Sequence, residues 1–229
     1  GNDVLTGGSG NDNLSGDAGN DEIDAGPGDD WVNAGSGDDI LDGGSNGAGG
    51  DTISFHNTET AVVVDLSILS AQTIGGGQGI DTLSGFENVE GGFGDDTLIG
   101  TFGDNTFLGR GGADTMTGGS GSDVFIYESS ADSSIGLGNY DVITDFDAGG
   151  DGSGVVDQID LSGVITGAFS YLEEAQAFTN TGSAQAFYDS NSKILQIDAD
   201  GDAQVDAEME IKLTTVTGTL DNTDFITGT

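Results

Sequence analysis

The 229-residue chain carries 41 acidic residues against 3 basic ones, a formal charge of −38, with 43 Gly, one Pro and no Cys. So acidic a balance excludes nucleic acid as a partner, because phosphate neutralisation needs Lys and Arg, and it disfavours anionic membranes. There is no transmembrane segment either: Ala61–Leu69 is too short to span and contains Asp65.

From Gly1 the sequence keeps a nine-residue beat. Asp3, Asp12, Asp21, Asp30 and Asp39 recur at that interval, Asp51 closes the array after a three-residue excess, and Asp96, Asn105, Asp114 and Asp123 resume it. Two places after each stands an apolar residue: Leu5, Leu14, Ile23, Val32, Leu41 and Ile53, then Leu98, Phe107, Met116 and Phe125. High charge and low hydrophobicity read as disorder, but this ordered beat argues for order conditional on an ion. Glycines at fixed places permit sharp turns, and the last three residues of each unit suit a very short strand with one buried side chain. Stacked about 4.8 Å apart, such strands make an apolar ladder, and the Asp column stacks with them. Neighbouring carboxylates at that spacing repel by about 1 to 3 kcal/mol per pair. A cation between them is required, and oxygen-only ligands without Cys point to calcium.

The pattern GGxGxDxUx resembles the calcium-binding nonapeptide of RTX proteins. The resemblance implies an all-β parallel β-roll (a β-solenoid) with a C-terminal antiparallel cap, two nonapeptides per coil, and several calcium ions between repeats n and n+2. It implies ligand sets in which backbone carbonyls join the Asp carboxylates. One set is Gly8, Gly10 and Asp12 with Ala25, Pro27 and Asp30; another is Asp17, Gly19 and Asp21 with Ala34, Ser36 and Asp39. In the later array Gly92, Gly94 and Asp96 face Gly109, Gly111 and Asp114, and Thr101, Gly103 and Asn105 face Gly118, Ser120 and Asp123, with Asn105 departing from the pattern. Asp3 with Gly16, Ala18 and Asp21 forms a set left incomplete at Gly1, where the chain is already mid-repeat, so a larger parent chain is expected.

Residues 1–54 read as the first array, 55–90 as a strand-rich connection continuing the solenoid, 91–127 as the second array and 128–229 as the cap. Trp31 lies in an outward place and reads as a packing residue before a sugar platform, and His56, the only His, as a polar surface group. Asp81, Leu83, Glu87 and Val89 form a damaged repeat in the connection. After Glu128 the segment with Asp145, Phe146 and Ile159–Ser162 resembles the stretch that follows the last repeat in serralysin-type proteases, with Asp141 as its ligand candidate; Asp147, Asp151 and Asp157 are left without a role. A short helix is expected at Tyr171–Phe178, a hairpin from Gln185–Tyr188 and Lys193–Ile197, and a strand alternating through Met209, Ile211 and Leu213. The loop holding Asp198, Asp200, Asp202 and Asp206 is not an EF-hand, since its twelfth place is Met209, but it is a candidate calcium loop. The tail, Asp224 before Phe225 and Ile226, resembles the end of type I secretion substrates.

These readings point away from an enzyme: there is no HExxH, no phosphate loop and no His beyond His56 to complete a triad. The expected function is a secreted, extracellular module that folds on calcium and supports type I secretion of a larger protein through that machinery. A polysaccharide-binding appendage is the alternative.

Overall fold

The computed structural model describes residues 1–136, 138–149, 154–172, 178, 182–201 and 208–228. Among these the structure is all-β, its one helical element being the 3-10 turn Asn222–Asp224. Most of the strands within the nonapeptide arrays are three residues long, too short to stand alone, and owe their persistence to their neighbours above and below.

Consecutive nonapeptides alternate between two faces of a parallel β-roll. One face is a single eight-stranded parallel sheet running Asn13–Ser15, Trp31–Asn33, Thr52–Ser54, Asn88–Glu90, Thr106–Leu108, Val124–Ile126, Gln158–Asp160 and Phe225–Ile226. The opposite face consists of two sheets. The first stacks Val4–Thr6, Glu22–Asp24, Ile40–Asp42 and Ile80–Ser84 in parallel, with Gln72–Thr73 antiparallel at its edge. The second stacks Val63–Asp65, Thr97–Ile99, Thr115–Thr117, Asp141–Ile143 and Met209–Leu213 in parallel. Residues 55–90 create this break: their Ile80–Ser84 and Gln72–Thr73 end the first sheet, their Val63–Asp65 begins the second, and Val63 N–H bonds to Ile74 O (2.6 Å) between them.

Register is set by the apolar position. Leu14, Val32, Ile53, Val89, Phe107, Phe125, Ile159 and Phe225 align as one ladder, and all but Leu14 are buried. Full burial of each such side chain contributes about 1.5–3 kcal/mol. A one-residue slip would turn the whole ladder outward, which is why the alternation fixes the pairing.

Parallel pairing does not end at Tyr127. Asp141–Ile143, Gln158–Asp160 and Phe225–Ile226 extend the two faces of the roll, so the antiparallel pairing of the cap, among the described residues, is that of Ala184–Asp189, Ile194–Asp198 and Met209–Leu213. The hairpin turns at Lys193, whose φ of 64° is the left-handed conformation and whose N–H bonds to Asp189 O (2.8 Å). The expected helix at Tyr171–Phe178 is corrected at its start: Tyr171 lies in the strand Phe169–Leu172, held against Ala184–Asp189, and residues 173–177 lie outside the described ones. Cross-strand burial won over local helix propensity there.

Candidate metal centres

Each nonapeptide turn delivers its Asp to the start of a strand, and the coil spacing places it against the Asp of the next coil. The backbone N–H of each Asp donates to Oδ1 of the one above: Asp3 to Asp21 (2.7 Å), Asp12 to Asp30 (2.7 Å), Asp21 to Asp39 (2.7 Å), Asp30 to Asp51 (2.7 Å) and Asp96 to Asp114 (2.8 Å). The other oxygen is left over. Oδ2 of Asp12, Asp21, Asp30, Asp39, Asp51, Asp81 and Asp114 is buried without a hydrogen-bond partner, while the Asp141 carboxyl faces the Tyr127 phenol. A buried carboxylate oxygen without a donor costs several kcal/mol, and repeated along two columns that cost calls for a cation.

Carbonyls converge on the same gaps. In the first set Gly8 N–H bonds to Ala25 O (3.1 Å) and Gly10 N–H to Pro27 O (2.8 Å). The Gly8 and Gly10 oxygens press so closely on Gly26 and Gly28 that a Cβ on either would overlap them. In the second set Ser36 N–H bonds to Asp17 O (2.7 Å) and Gly19 N–H to Ser36 O (2.9 Å), with Ala18 bridged to Ser36 and the Ala34 oxygen beside Gly16 and Asp21. In the later array Gly111 N–H bonds to Gly92 O (3.2 Å), and the Gly94 oxygen lies against Gly112, with Asp114 Oδ2 facing Gly109. The residues of each predicted set thus lie on directly stacked turns, and an all-oxygen lining beside unpaired carboxylate oxygens fits calcium, although Asp96 has both its oxygens taken by the Val62 and Gly92 N–H groups.

Asn105 is different. Its Oδ1 accepts from Thr101 N–H (2.7 Å), and its Nδ2 donates to Glu87 O (2.7 Å) and Thr101 Oγ1 (3.1 Å). Its N–H still donates to Asp123 Oδ1 (2.8 Å), and Ser120 N–H reaches Thr101 O at 3.4 Å, with Gly103 against Gly121 and Gly118 beside Asp123. Asn105 thus turns an N–H group toward the Glu87 carbonyl, where the aspartates of the other turns carry only acceptor oxygens.

Without positive charge the columns strain their own carboxyls. Burial, then neighbouring Asp charges, pushes Asp114 up to about 9; burial dominates in Asp141 at about 8, Asp81 and Asp123 at about 7, and Asp51 and Asp157 at about 6. Tyr127, fully buried beside Asp141 and Asp114, has its phenol raised by the same two causes and stays protonated.

The columns also recruit residues that the nine-residue period misses. Asp39 N–H donates to Asp81 Oδ1 (3.0 Å), Asp51 N–H to Glu87 Oε2 (3.1 Å), Asp114 N–H to Asp141 Oδ1 (2.9 Å) and Asp123 N–H to Asp157 Oδ1 (2.9 Å). Asp157, left without a role by the sequence, also accepts from Asp147 N–H (2.8 Å); its signal was the Ile159 two places on, matching the Asp-x-apolar beat. Asp151 lies outside the described residues.

In the cap, Asp198 and Asp200 meet Glu208, one oxygen from each lying within 4.8 Å of the others. Asp202 and Asp206 lie outside the described residues, and Glu208 was missed because the twelfth place of the loop, Met209, drew the comparison.

Trp31 and His56 belong to a different cluster, on the outer surface of the continuous sheet. Trp31 Nε1 (3.0 Å) and Ser54 Oγ (2.5 Å) donate to Glu90 Oε2, and Arg110 Nε (2.7 Å) and Nη2 to Oε1. The Trp31 ring leans on His56 at 5.1 Å. Burial would raise Glu90, but hydrogen bonds from Ser54, Arg110 and Trp31 hold it below the ordinary range. Trp31 and Ser54 precede the 55–90 segment, His56 and Glu90 stand at its two ends and Arg110 follows it, so the cluster clasps the turns on either side together.

Half-satisfied carboxylate columns on stacked glycine turns, carried by a parallel β-roll, define a calcium-binding repeat module. Residues 1–32 match the RTX calcium-binding nonapeptide repeat (4 copies). Residues 28–227 match Peptidase M10 serralysin C terminal, and the chain belongs to that family, whose matched part is a non-catalytic portion of a secreted protease. No curated protein matches the chain.

Proposed function

We propose that this chain is a module that stays unfolded at low calcium, folds at extracellular calcium, and thereby supports type I secretion and stability of a larger secreted protein. The observation that carries the reading is the pair of columns of buried, unpartnered Asp Oδ2 atoms. Calcium, when bound, supplies the positive charge these columns lack. The chain's own part is to hold the oxygens in place: backbone N–H groups fix one carboxylate oxygen of each Asp, and glycine turns bring carbonyls close to the other. The ligand sets proposed are those around Asp3, Asp12, Asp21, Asp30, Asp39, Asp51, Asp96, Asp114, Asp123 and Asp141, with their turn carbonyls and an additional loop site at Asp198 and Asp200. The division into 1–54, 55–90, 91–127 and 128–229 describes the proposed order of arrays, connection and cap. Extracellular calcium sites bind at about 10⁻⁴ to 10⁻³ M, which places the transition at the cell boundary.

Far-UV circular dichroism during a calcium titration from EDTA, with magnesium as control, tests this. A cooperative coil-to-β transition specific to calcium is expected; a spectrum already β-rich in EDTA at neutral pH sinks the switch. For export, variants folding at cytoplasmic calcium are expected to stall in the secretion machinery.

A polysaccharide role has one observation in its favour, a cap cavity of about 570 Å³ lined by Tyr171, Tyr188, Lys193, Asp221 and Asn222. Two tyrosines beside a lysine and polar groups make a lining that suits a sugar. Calorimetry with alginate and neutral glycans at fixed calcium distinguishes this reading from the first.

A further inference from the structure

The residue just before each column acid carries a second ladder, which the calcium sets do not use. Asn20 N–H donates to Asn2 Oδ1 (3.0 Å), Asp38 N–H to Asn20 Oδ1 (3.3 Å) and Ile80 N–H to Asp38 Oδ1 (3.0 Å). On the other edge Asp29 N–H donates to Asn11 Oδ1 (3.1 Å). Asp29 Oδ1 in turn takes both Gly49 N–H (3.1 Å) and Gly50 N–H (3.0 Å), so it holds the turn that carries the three-residue excess. In the later array Ala113 N–H donates to Asp95 Oδ1 (2.9 Å), Ser122 N–H to Asp104 Oδ1 (2.8 Å) and Val156 N–H to Ser122 Oγ (3.1 Å).

The two ladders run in opposite directions. A column Asp reaches back to the N–H of the preceding coil, Asp21 to Asp3 and Asp39 to Asp21, whereas the residue before it reaches forward to the N–H of the next. Two successive side chains thereby stitch each turn both ways. An amide oxygen suffices for the forward stitch, as Asn2, Asn11 and Asn20 show, so the bond alone does not explain why Asp29, Asp38, Asp95 and Asp104 are acids. Their charge is unfavourable in the metal-free roll. After burial, the charge of Asp38 is among those raising Asp39 and Asp81; Asp95 acts so on Asp96 and Asp114, Asp104 on Asp123 and Asp29 on Asp51. The same reach becomes attraction once a divalent cation lies among the column carboxylates.

We propose that Asp29, Asp38, Asp95 and Asp104 are positioning residues for calcium: each holds the turn of the next coil in register through Oδ1, and its charge tightens the neighbouring ion sites without ligating the ion. The inference rests on the calcium reading above and adds to it residues that touch no ion. Its consequence is that the choice of Asn or Asp at this place sets affinity while the bond stays the same.

The changes Asp29→Asn, Asp38→Asn, Asp95→Asn and Asp104→Asn are combined in one variant of the full chain, and the same four positions are changed to Ala in another. Calcium titrations followed by far-UV circular dichroism, in about 0.1 M and about 1 M KCl, and ion counts by native mass spectrometry compare them with wild type. The Asn variant, with the bonds kept and four charges lost, is expected to hold the wild-type number of ions. Its calcium midpoint is expected about twofold above wild type at low salt and level with it at high salt. The Ala variant, with the bonds also lost, is shifted further, and high salt does not restore it. An Asn variant with the wild-type midpoint at low salt overturns the charge role, and one that holds fewer ions makes these acids ligands and overturns the proposal. An Ala variant no weaker than the Asn variant overturns the stitch. Should the Ala variant fail to fold, Asp38→Ala alone replaces it: its Ile80 amide is expected to exchange faster than in Asp38→Asn, and equal exchange overturns the stitch. A wild type whose fold ignores calcium overturns the calcium reading itself, which an unmoved midpoint in a calcium-dependent variant does not.

Discussion

Replacing Asp114 by Asn removes a charge and a ligand oxygen while leaving its turn in place. Asp114 is fully buried, and its Oδ1 accepts the Asp96 N–H at 2.8 Å, a bond that an amide oxygen keeps. Its Oδ2 has no partner, and burial together with the Asp141 charge pushes the carboxyl up to about 9. A calcium site with a Kd of about 10⁻⁴ M, studied at about 10 mM calcium, contributes about 2.7 kcal/mol. Losing it lowers Tm by roughly 5–10 °C in a chain of this size. In EDTA the sign reverses, because the wild-type carboxyl can then stay buried only by taking up a proton, a cost that the amide does not carry; Asp114→Asn is expected to be as stable as wild type or more so. Thermal unfolding followed by far-UV circular dichroism, in calcium and in EDTA with a stabilising osmolyte, gives both halves of the comparison. Equal destabilisation in the two conditions would refute the reasoning and reduce Asp114 to a packing residue.

Asn105→Asp removes the amide N–H turned toward the Glu87 carbonyl, so it is expected to add one bound ion by native mass spectrometry and to lower stability in EDTA; an unchanged ion count contradicts the reading of that turn. Metal-free stability should rise on acidification: burial places Asp51 at about 6, Asp81 at about 7 and Asp141 at about 8 in the roll, above an unfolded value of about 3.9, so the folded state binds more protons and loses stability as pH climbs through that window. In EDTA more β signal is therefore expected near pH 5 than near pH 8, while the calcium midpoint shifts upward at the lower pH; a β signal that falls on acidification goes against this. Gly26→Ala, forced against the Gly8 oxygen at φ +98°, should cost several times more than Gly8→Ala, which meets no atom within 4 Å and bears only backbone strain of about 1 kcal/mol; urea midpoints of the two variants compare them. Arg110→Ala removes the charged donor to buried Glu90 and is expected to cost about 2–4 kcal/mol and to split one calcium transition into two as the arrays uncouple; a single, unshifted transition argues against the clasp.

The sequence by itself determined what repeats: the apolar ladder, the glycine turns and the Asp columns at the regular separation of 18 residues seen between Asp3 and Asp21 or Asp96 and Asp114. A period is legible because each unit states the same stereochemical requirement again, and two units close one coil. The sequence named Asp81, Glu87 and Asp141 as candidates beyond the broken period, but tertiary structure decided which acid each one meets and added Asp157. Asp39 meets Asp81 across 42 residues, Asp114 meets Asp141 across 27 and Asp123 meets Asp157 across 34. Stacking of strands restores in space an alignment that loops of unequal length erase from the chain. The same stacking carried the roll beyond Tyr127, drew Asp224 to its end and gathered Trp31, Glu90 and Arg110 into one clasp. None of these contacts has a fixed spacing; each exists because a buried ladder had to be continued and its exposed edge covered.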